Sequence, residues 1–225
     1  MCLRNLTFVT FLLLFTFNTQ AQRNFEGYNR LGLQAGMTLF DINTADLTTR
    51  QGTGFMGGFT TRGSFRGSFD LIYGINFFGN ELEVLAINTG DASNRNVEEY
   101  IDYSIQAVQI NFLGSFNVVR HHFSLEFGPV LNVNGRLKMK NEDNFGQYIL
   151  AVDDAIIRAN EIQDISKVNF RVMGGLTAGL ENFRVWAQYQ YGVTNMLKNL
   201  NDKELAKNDF EGNSSTLIFG AVVYF

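Results

Sequence analysis

The sequence predicts an all-β protein, an eight-stranded antiparallel up-and-down transmembrane β-barrel with a short helical segment in one long outer loop. Three observations predict it. Residues Ser214 to Phe225 alternate without a break, with Leu217, Phe219, Ala221, Val223 and Phe225 on one face and Thr216, Ile218, Gly220, Val222 and Tyr224 on the other. That is a period-2 strand of the ~9–11 residues that cross a bilayer when tilted. The composition sets 22 Phe and 22 Gly against one Pro. Finally, the links between the strands alternate between short and long, as turns and loops do at the two ends of a membrane barrel.

The chain opens on a basic residue, Arg4, then an apolar run from Leu6 to Phe17, then Asn18-Thr19-Gln20-Ala21. A short basic start, an apolar stretch of ~7–15 residues and small residues at Thr19 and Ala21 describe a Sec-type signal peptide over 1–21, cleaved after Ala21. The run is too short for a spanning helix, which needs ~20 residues. Cys2 precedes the apolar run, so lipidation is not expected. Residues 22–225 then form one domain, without cysteine, so neither disulfides nor thiol chemistry are available to it. Losing Arg4 leaves 17 Lys and Arg against 22 Asp and Glu, or −5. A mildly acidic chain offers nucleic acid no basic surface.

Arg30 to Phe40 is the first strand, with Leu31, Leu33, Ala35, Met37 and Leu39 opposed by Gly32, Gln34, Gly36 and Thr38. A polar loop over 41–52 follows. Gly54 to Ser64 places Phe55, Gly57 and Phe59 against Met56, Gly58, Thr60 and Arg62. A tight connection over 64–67 leads to Phe69, Leu71, Tyr73, Ile75 and Phe77, opposed by Asp70, Ile72, Gly74 and Asn76; the pattern continues less regularly to Ile87. Beyond a loop rich in Asn, Asp, Ser and Gly, Glu98 to Val118 returns, with Val108, Ile110, Phe112 and Phe116 on one face. A turn at Arg120-His121 leads to a strand over 122–139 carrying Phe123, Leu125, Phe127, Leu131 and Val133. After the long insertion 141–166 come Val168 to Leu180, a two-residue turn at Glu181-Asn182, and Phe183 to Thr194. A polar loop over 196–213 precedes the last strand. Both termini fall on the side of the short turns.

Periodicity leaves open which face points outward, and a soluble lipocalin-like barrel is the alternative. Volume decides. An eight-stranded lumen is just wide enough for side chains to fill it, or for one small ligand. The apolar faces carry far more bulk than that, whereas the opposite faces are thinned by Gly32, Gly36, Gly58, Gly74, Gly128, Gly175, Gly179, Gly192 and Gly220. The apolar faces therefore point into lipid, and a lumen plugged by its own side chains excludes a pore. The same parity turns Arg62, Asp70, Glu126 and Arg184 inward, each within a few residues of a short turn. They are expected to form one charge-paired layer whose role is stability, because ions in a dry lumen persist only with partners.

No catalytic, cofactor or metal site is expected. His121-His122 is the only histidine pair, and adjacent strand residues face opposite ways, so it reads as interfacial turn residues rather than a zinc site. The insertion 141–166 carries Glu142, Asp143, Asp153, Asp154, Glu161 and Asp164 against Arg158. Val152, Ile156 and Ala159 give helical spacing to Ala151–Ile162, and the segment reads as a solvated, partly helical loop; cation or partner binding is the functional alternative. The outer halves of the long strands, residues 81–87, 100–106 and 136–140, should rise above the membrane as a sheet with an edge open to strand addition.

Three stretches carry a resemblance: Tyr103 to Phe116, Phe123 to Asn134 with Gly128-Pro129, and Phe170 to Asn195 with Met173-Gly174-Gly175, Tyr189-Gln190-Tyr191-Gly192 and Thr194-Asn195. In these the chain resembles the PorT-like outer-membrane β-barrel family of Bacteroidetes. The resemblance implies an outer-membrane barrel of a Gram-negative bacterium and, through the family's founding members, a link to type IX protein secretion. It also implies that Phe225 resembles the terminal signal read by the barrel-assembly machinery. No family functional residues carry over. The expected partners are outer-membrane lipid, the assembly machinery and a secretion-system or cell-surface protein. The leading functional expectation is thus a non-enzymatic barrel that acts by contact through its loops or turns. An enzyme acting on lipid or peptide at the rim would need a convergent acid, base or nucleophile cluster there.

Overall fold

The computed structural model describes residues 27–88, 97–120, 122–150, 152 and 155–225. The expected signal peptide over 1–21, with Cys2, lies outside the described residues, as does His121. The sheet is a single ten-stranded one. Its strands are β1 (Asn29–Asn43), β2 (Thr49–Arg66), β3 (Phe69–Ile87), β4 (Glu98–Val119), β5 (Phe123–Asn134), β6 (Lys138–Met139), β7 (Ile149–Leu150), β8 (Val168–Gly179), β9 (Phe183–Gly192) and β10 (Asn213–Tyr224). The eight long strands pair antiparallel in chain order, and β10 closes the ring on β1 through pairs such as Ala35 with Ala221. β6 and β7 are short additions to β4 and β3. Among the described residues no helix is long and apolar enough to cross a membrane; the crossing is made by strands.

The tight turns follow from local chemistry. β2 runs to Arg66, into the expected connection at 64–67, with a register irregularity between Ser64 and Arg66. The turn itself is Gly67-Ser68, and Gly67 has φ 60, the left-handed geometry that the first position of this hairpin loop requires. At the next turn but one, the Leu180 amide donates to the Phe183 carbonyl at 2.7 Å and brackets Glu181-Asn182. At the other end of the ring the strands run further than their periodicity suggests. β1 extends to Asn43 and β2 begins at Thr49, so the connection between them shrinks from 41–52 to 44–48.

Register sets the stagger. Following paired residues round the ring from Asn29 through Gly63, Leu71, Gly114, Phe127, Gly174, Tyr189 and Leu217 returns to β1 at Leu39, ten residues on. Such a shear tilts the strands and narrows the interior to a space that side chains can fill.

The outside of the ring is an apolar belt. Leu33, Met37, Phe55, Phe59, Phe77, Phe112, Phe127, Phe170, Val185 and Phe219 are all exposed, Met37 and Phe55 by 71% and 70%. An apolar band encircling a closed barrel, with polar side chains inside, is the arrangement of a transmembrane barrel, whereas a lipocalin-like barrel would reverse the two.

Above the belt, at the end carrying the long loops, the faces exchange character. On β3 the exposed side chains Tyr73, Ile75 and Phe77 are followed on the same face by Glu81 and Glu83, while the inner face changes from Asp70 and Asn76 to buried Leu82, Val84 and Ala86. β4 mirrors this, with Val108, Ile110 and Phe112 outward in the belt and Ile101, Tyr103 and Ile105 buried above it. The hydrophobic core is therefore in the cap, above the lipid, where water can drive its burial.

Candidate functional site

The interior is stacked in three levels. At the turn end lies the charged layer. Arg62 Nη1 donates to Asp70 Oδ2 at 3.1 Å and to Ser115 Oγ at 3.0 Å, and Arg62 Nη2 pairs with Glu126 Oε1. Tyr28 Oη donates to the same Asp70 oxygen at 2.6 Å. Arg184 Nη2 donates to Ser124 Oγ at 3.0 Å, and Gln188 Nε2 reaches Glu126 Oε2 at 3.5 Å. Arg62, Asp70, Glu126 and Arg184 are all at most 4% exposed. Strand parity turns them inward, and their nearness to the short turns puts them at one height. The geometry joins Arg62 to both carboxylates; Arg184 enters the layer through Ser124.

The middle of the lumen is amide-lined and holds the chain's single tryptophan. Gln34 Nε2 donates to Asn76 Oδ1 at 2.6 Å, and Asn76 Nδ2 to Asn111 Oδ1 at 3.1 Å. The Trp186 ring lies across Gly36 and Gly220, so closely that a Cβ on either would meet it or the backbone beside it. Here the interior glycines make room for one large side chain. What remains is a cavity of about 20 Å³ bordered by Gln34, Asn76, Trp186 and Gln188, far from a conducting path. Arg171 sits higher, buried, with Nη1 donating to Thr216 Oγ1 at 3.2 Å and its guanidinium 5.9 Å from the Phe40 ring centre. It forms no ion pair among the described residues. An attraction to the ring face of about 0.5–2 kcal/mol partly offsets its burial. Its parity was legible, but no sequence signal marked it as a buried arginine with no ion pair among the described residues.

The third level is the cap, where the sequence expectations need the most correction. The insertion 141–166 is partly helical as expected, but its described residues are not a solvated loop. Ile157, Ala159, Ile162 and Ile165 are buried against Leu82, Val84, Ile101 and Tyr103 in one apolar cluster. Among the described residues of 151–162 the expected α-helix does not form. Leu150 N donates to Ile157 O at 2.8 Å and Ile149 bridges to Arg158, which holds these four residues in a β-type pairing. Among the insertion's described residues, helical structure is one turn, Glu142–Phe145, and a 3-10 segment, Ala159–Gln163. Asp153 and Asp154 lie outside the described residues. The loop 196–213 likewise folds inward, with Met196, Leu197, Leu200 and Phe210 buried. Asn195 and Asn201 each donate through Nδ2 to the Phe210 carbonyl, at 2.7 and 3.0 Å. Tyr103 Oη reaches Ala159 O at 2.7 Å. Buried backbone in a loop needs partners of this kind.

The expected open sheet edge is largely occupied by the chain itself. β7 pairs with Ala86 and Ile87 of β3, and β6 with Tyr103 and Ser104 of β4. The expected strand over 122–139 breaks at Gly135, where it bends over the cap before β6. On the cap's outer surface Lys140 Nζ pairs with Glu81 at 2.7 Å, and this hydrogen bond raises the ammonium above its usual range. His122 sits at a tight turn, its Nδ1 3.0 Å from the Gly179 carbonyl. Among the described residues no three His, Cys, Asp or Glu side chains gather as metal ligands would. Phe225 is exposed in the belt's lower rim, its amide donating to Leu31 O at 2.9 Å.

No protein-family model and no curated protein matches the chain. Among solved structures it is similar to Neisserial surface protein A (NspA), with a TM-score of 0.48 and 13% identity over 87% of this chain and 97% of that one. It is similar to Ail, the attachment invasion locus protein of Yersinia pestis, with a TM-score of 0.47 and 16% identity over 88% and 99%. It is also similar to the outer membrane protein OprG from Pseudomonas aeruginosa, with a TM-score of 0.47 and 9% identity over 88% and 96%. At these scores the likenesses assign no function, and they leave the PorT-like resemblance where the sequence put it.

Proposed function

We propose that this chain is an integral outer-membrane barrel that conducts nothing, catalyses nothing and works by contact, holding a rigid folded cap above the lipid. The observation that carries this reading is the closure of the interior at both levels. The Arg62–Asp70–Glu126 layer blocks the turn end, and the apolar cluster around Tyr103, Ile157 and Phe210 blocks the loop end. A solute would have to break a buried ion network and then a packed core. A barrel built in this way offers its surroundings only a belt and two surfaces.

Phe225 serves the assembly machinery in this reading, and the signal peptide delivers the chain to it. The resemblance to PorT-like barrels of Bacteroidetes supports placing the contact with a protein-secretion apparatus, either through the cap or through the turns at Gly67-Ser68 and Glu181-Asn182. Photo-crosslinkers placed in whole cells at Ser68, Asn182 and, on the cap, Glu161 test this. The reading expects heat-modifiable protein in outer-membrane fractions, no conductance in planar bilayers and a discrete crosslinked protein from one of the two surfaces. Stepwise single-channel currents, or crosslinks to lipid alone at all three positions, would remove it.

A further inference from the structure

We propose that the outer face of the barrel just above the belt holds one phosphorylated lipid, its head group on Arg136 and Lys138 and an acyl chain in the groove over Gly79. The proposal rests on the reading above, in which the loop end faces the outer leaflet. The groove has a volume of about 530 Å³ and is bordered by Met37, Phe55, Gly79, Gln106, Arg136 and Lys138. It continues downward into a second hollow of about 460 Å³ bordered by Phe77, Val108 and Val133. The Phe55 ring packs against Gly79 and borders both hollows.

The charges at the upper rim are positioned by the cap. Leu137 and Met139 are buried, whereas Arg136 and Lys138 are exposed and Lys140 is half-exposed. The backbone beneath them is fixed, with Gly135 N on Gln106 O at 2.8 Å, Leu137 N on Gln163 O at 2.9 Å and Lys140 N on Asp102 O at 2.8 Å. Lys140 is engaged by Glu81, which borders the same groove, at 2.7 Å. That contact neutralises the groove's carboxylate. Arg136 and Lys138 are exposed and form no ion pair or side-chain hydrogen bond among the described residues. They stand three and five residues past Val133, an exposed belt residue of β5, at the height of lipid head groups.

Two free cations on a rigid strip match a phosphate, and the groove that continues beneath them into the belt matches a chain. A soluble anion would use the first feature and leave the second unused. Basic residues near an anionic surface each contribute roughly a factor of five in binding, so the pair should contribute about thirtyfold.

The test uses the full mature chain refolded in phosphatidylcholine nanodiscs, with diphosphoryl lipid A as the probe and native mass spectrometry as the readout. Wild type should retain one lipid A about thirtyfold better than the double variant R136Q/K138Q. Gln106→Trp, which fills the groove and spares both cations, should also lose retention. Each variant must keep heat-modifiable mobility, which reports the barrel independently of the lipid. Equal retention by wild type and double variant would overturn the proposal, as would displacement of lipid A by glycerol 3-phosphate at matched concentration. A chain that never inserts into the nanodiscs would instead remove the membrane-barrel reading.

Discussion

The hydroxyl of Tyr103 on β4 donates to the carbonyl of Ala159 at 2.7 Å, and both residues are fully buried. One hydrogen bond thereby ties a barrel strand to the acidic insertion and helps make that insertion a structural element. Removing it in Tyr103→Phe leaves the Ala159 carbonyl unsatisfied in an apolar core, at a cost of about 1–3 kcal/mol. The expected outcome is faster protease cleavage within 141–166 while the strands stay protected, read by limited proteolysis in detergent.

The charged layer gives an asymmetric prediction. Arg62→Met strands Asp70 and Glu126 in the lumen and should cost about 3–5 kcal/mol. The triple variant Arg62→Met, Asp70→Asn, Glu126→Gln removes the charges together and should recover most of that loss. Urea unfolding in lipid vesicles compares the two. A triple variant as unstable as the single one would mean that the layer is not a mutually compensating unit.

Trp186 reports on the lumen because it is the only tryptophan. Gly220→Ala places a methyl group against its ring and against the Ala35 carbonyl, and overpacking of this kind costs about 1–3 kcal/mol. Both the emission maximum of the folded protein and the unfolding midpoint should shift. Gly67→Ala, at a turn where a Cβ would meet nothing, should change stability only through the strain of its positive φ and leave the emission unchanged.

The boundary of the belt can be located by charge. Ile75→Arg, on the lipid face between Tyr73 and Phe77, should cost about 2–4 kcal/mol in folding from urea into vesicles, as arginine does near a bilayer midplane. Ser104→Arg, outward on β4 above the belt, should cost less than about 1 kcal/mol. Equal penalties would place the membrane boundary elsewhere.

Deletion of Phe225 separates assembly from stability. Its side chain is 73% exposed and its amide makes a single backbone bond to Leu31, so refolding into vesicles should change little. In cells the truncated chain should accumulate outside the membrane fraction. Normal outer-membrane levels would remove the assembly role.

Much of this architecture was legible because a strand's period is local. Leu217, Phe219 and Ala221 announce an outward face wherever the strand comes to lie, and the inner glycines announce a crowded interior. The exchange of faces on β3 was legible too. Its apolar residues move from odd positions, ending at Phe77, to even ones at Leu82, Val84 and Ala86, and a change of phase without a bulge marks a change of solvent. Read as mere irregularity, it hides the cap. The cap itself left no such trace. Leu150, Ile157, Ile162 and Ile165 follow neither period 2 nor 3.6, and the six acidic residues among them dominate the composition.

The sequence by itself determined the strand count, the ring order, the outward belt and the inward direction of Arg62, Asp70, Glu126 and Arg184. Each of these follows from alternation along the chain and from the volume of an eight-stranded interior. Only the tertiary structure decided which of those charges meet, that Trp186 lies over Gly36 and Gly220, that the insertion closes the lumen, and that Arg136 and Lys138 stand exposed at the rim of the groove beside Phe55 and Gly79. Those relations depend on register and on the ten-residue stagger that sets each side chain's height. They depend also on loops whose burial is driven by water above the membrane, and no local period encodes that.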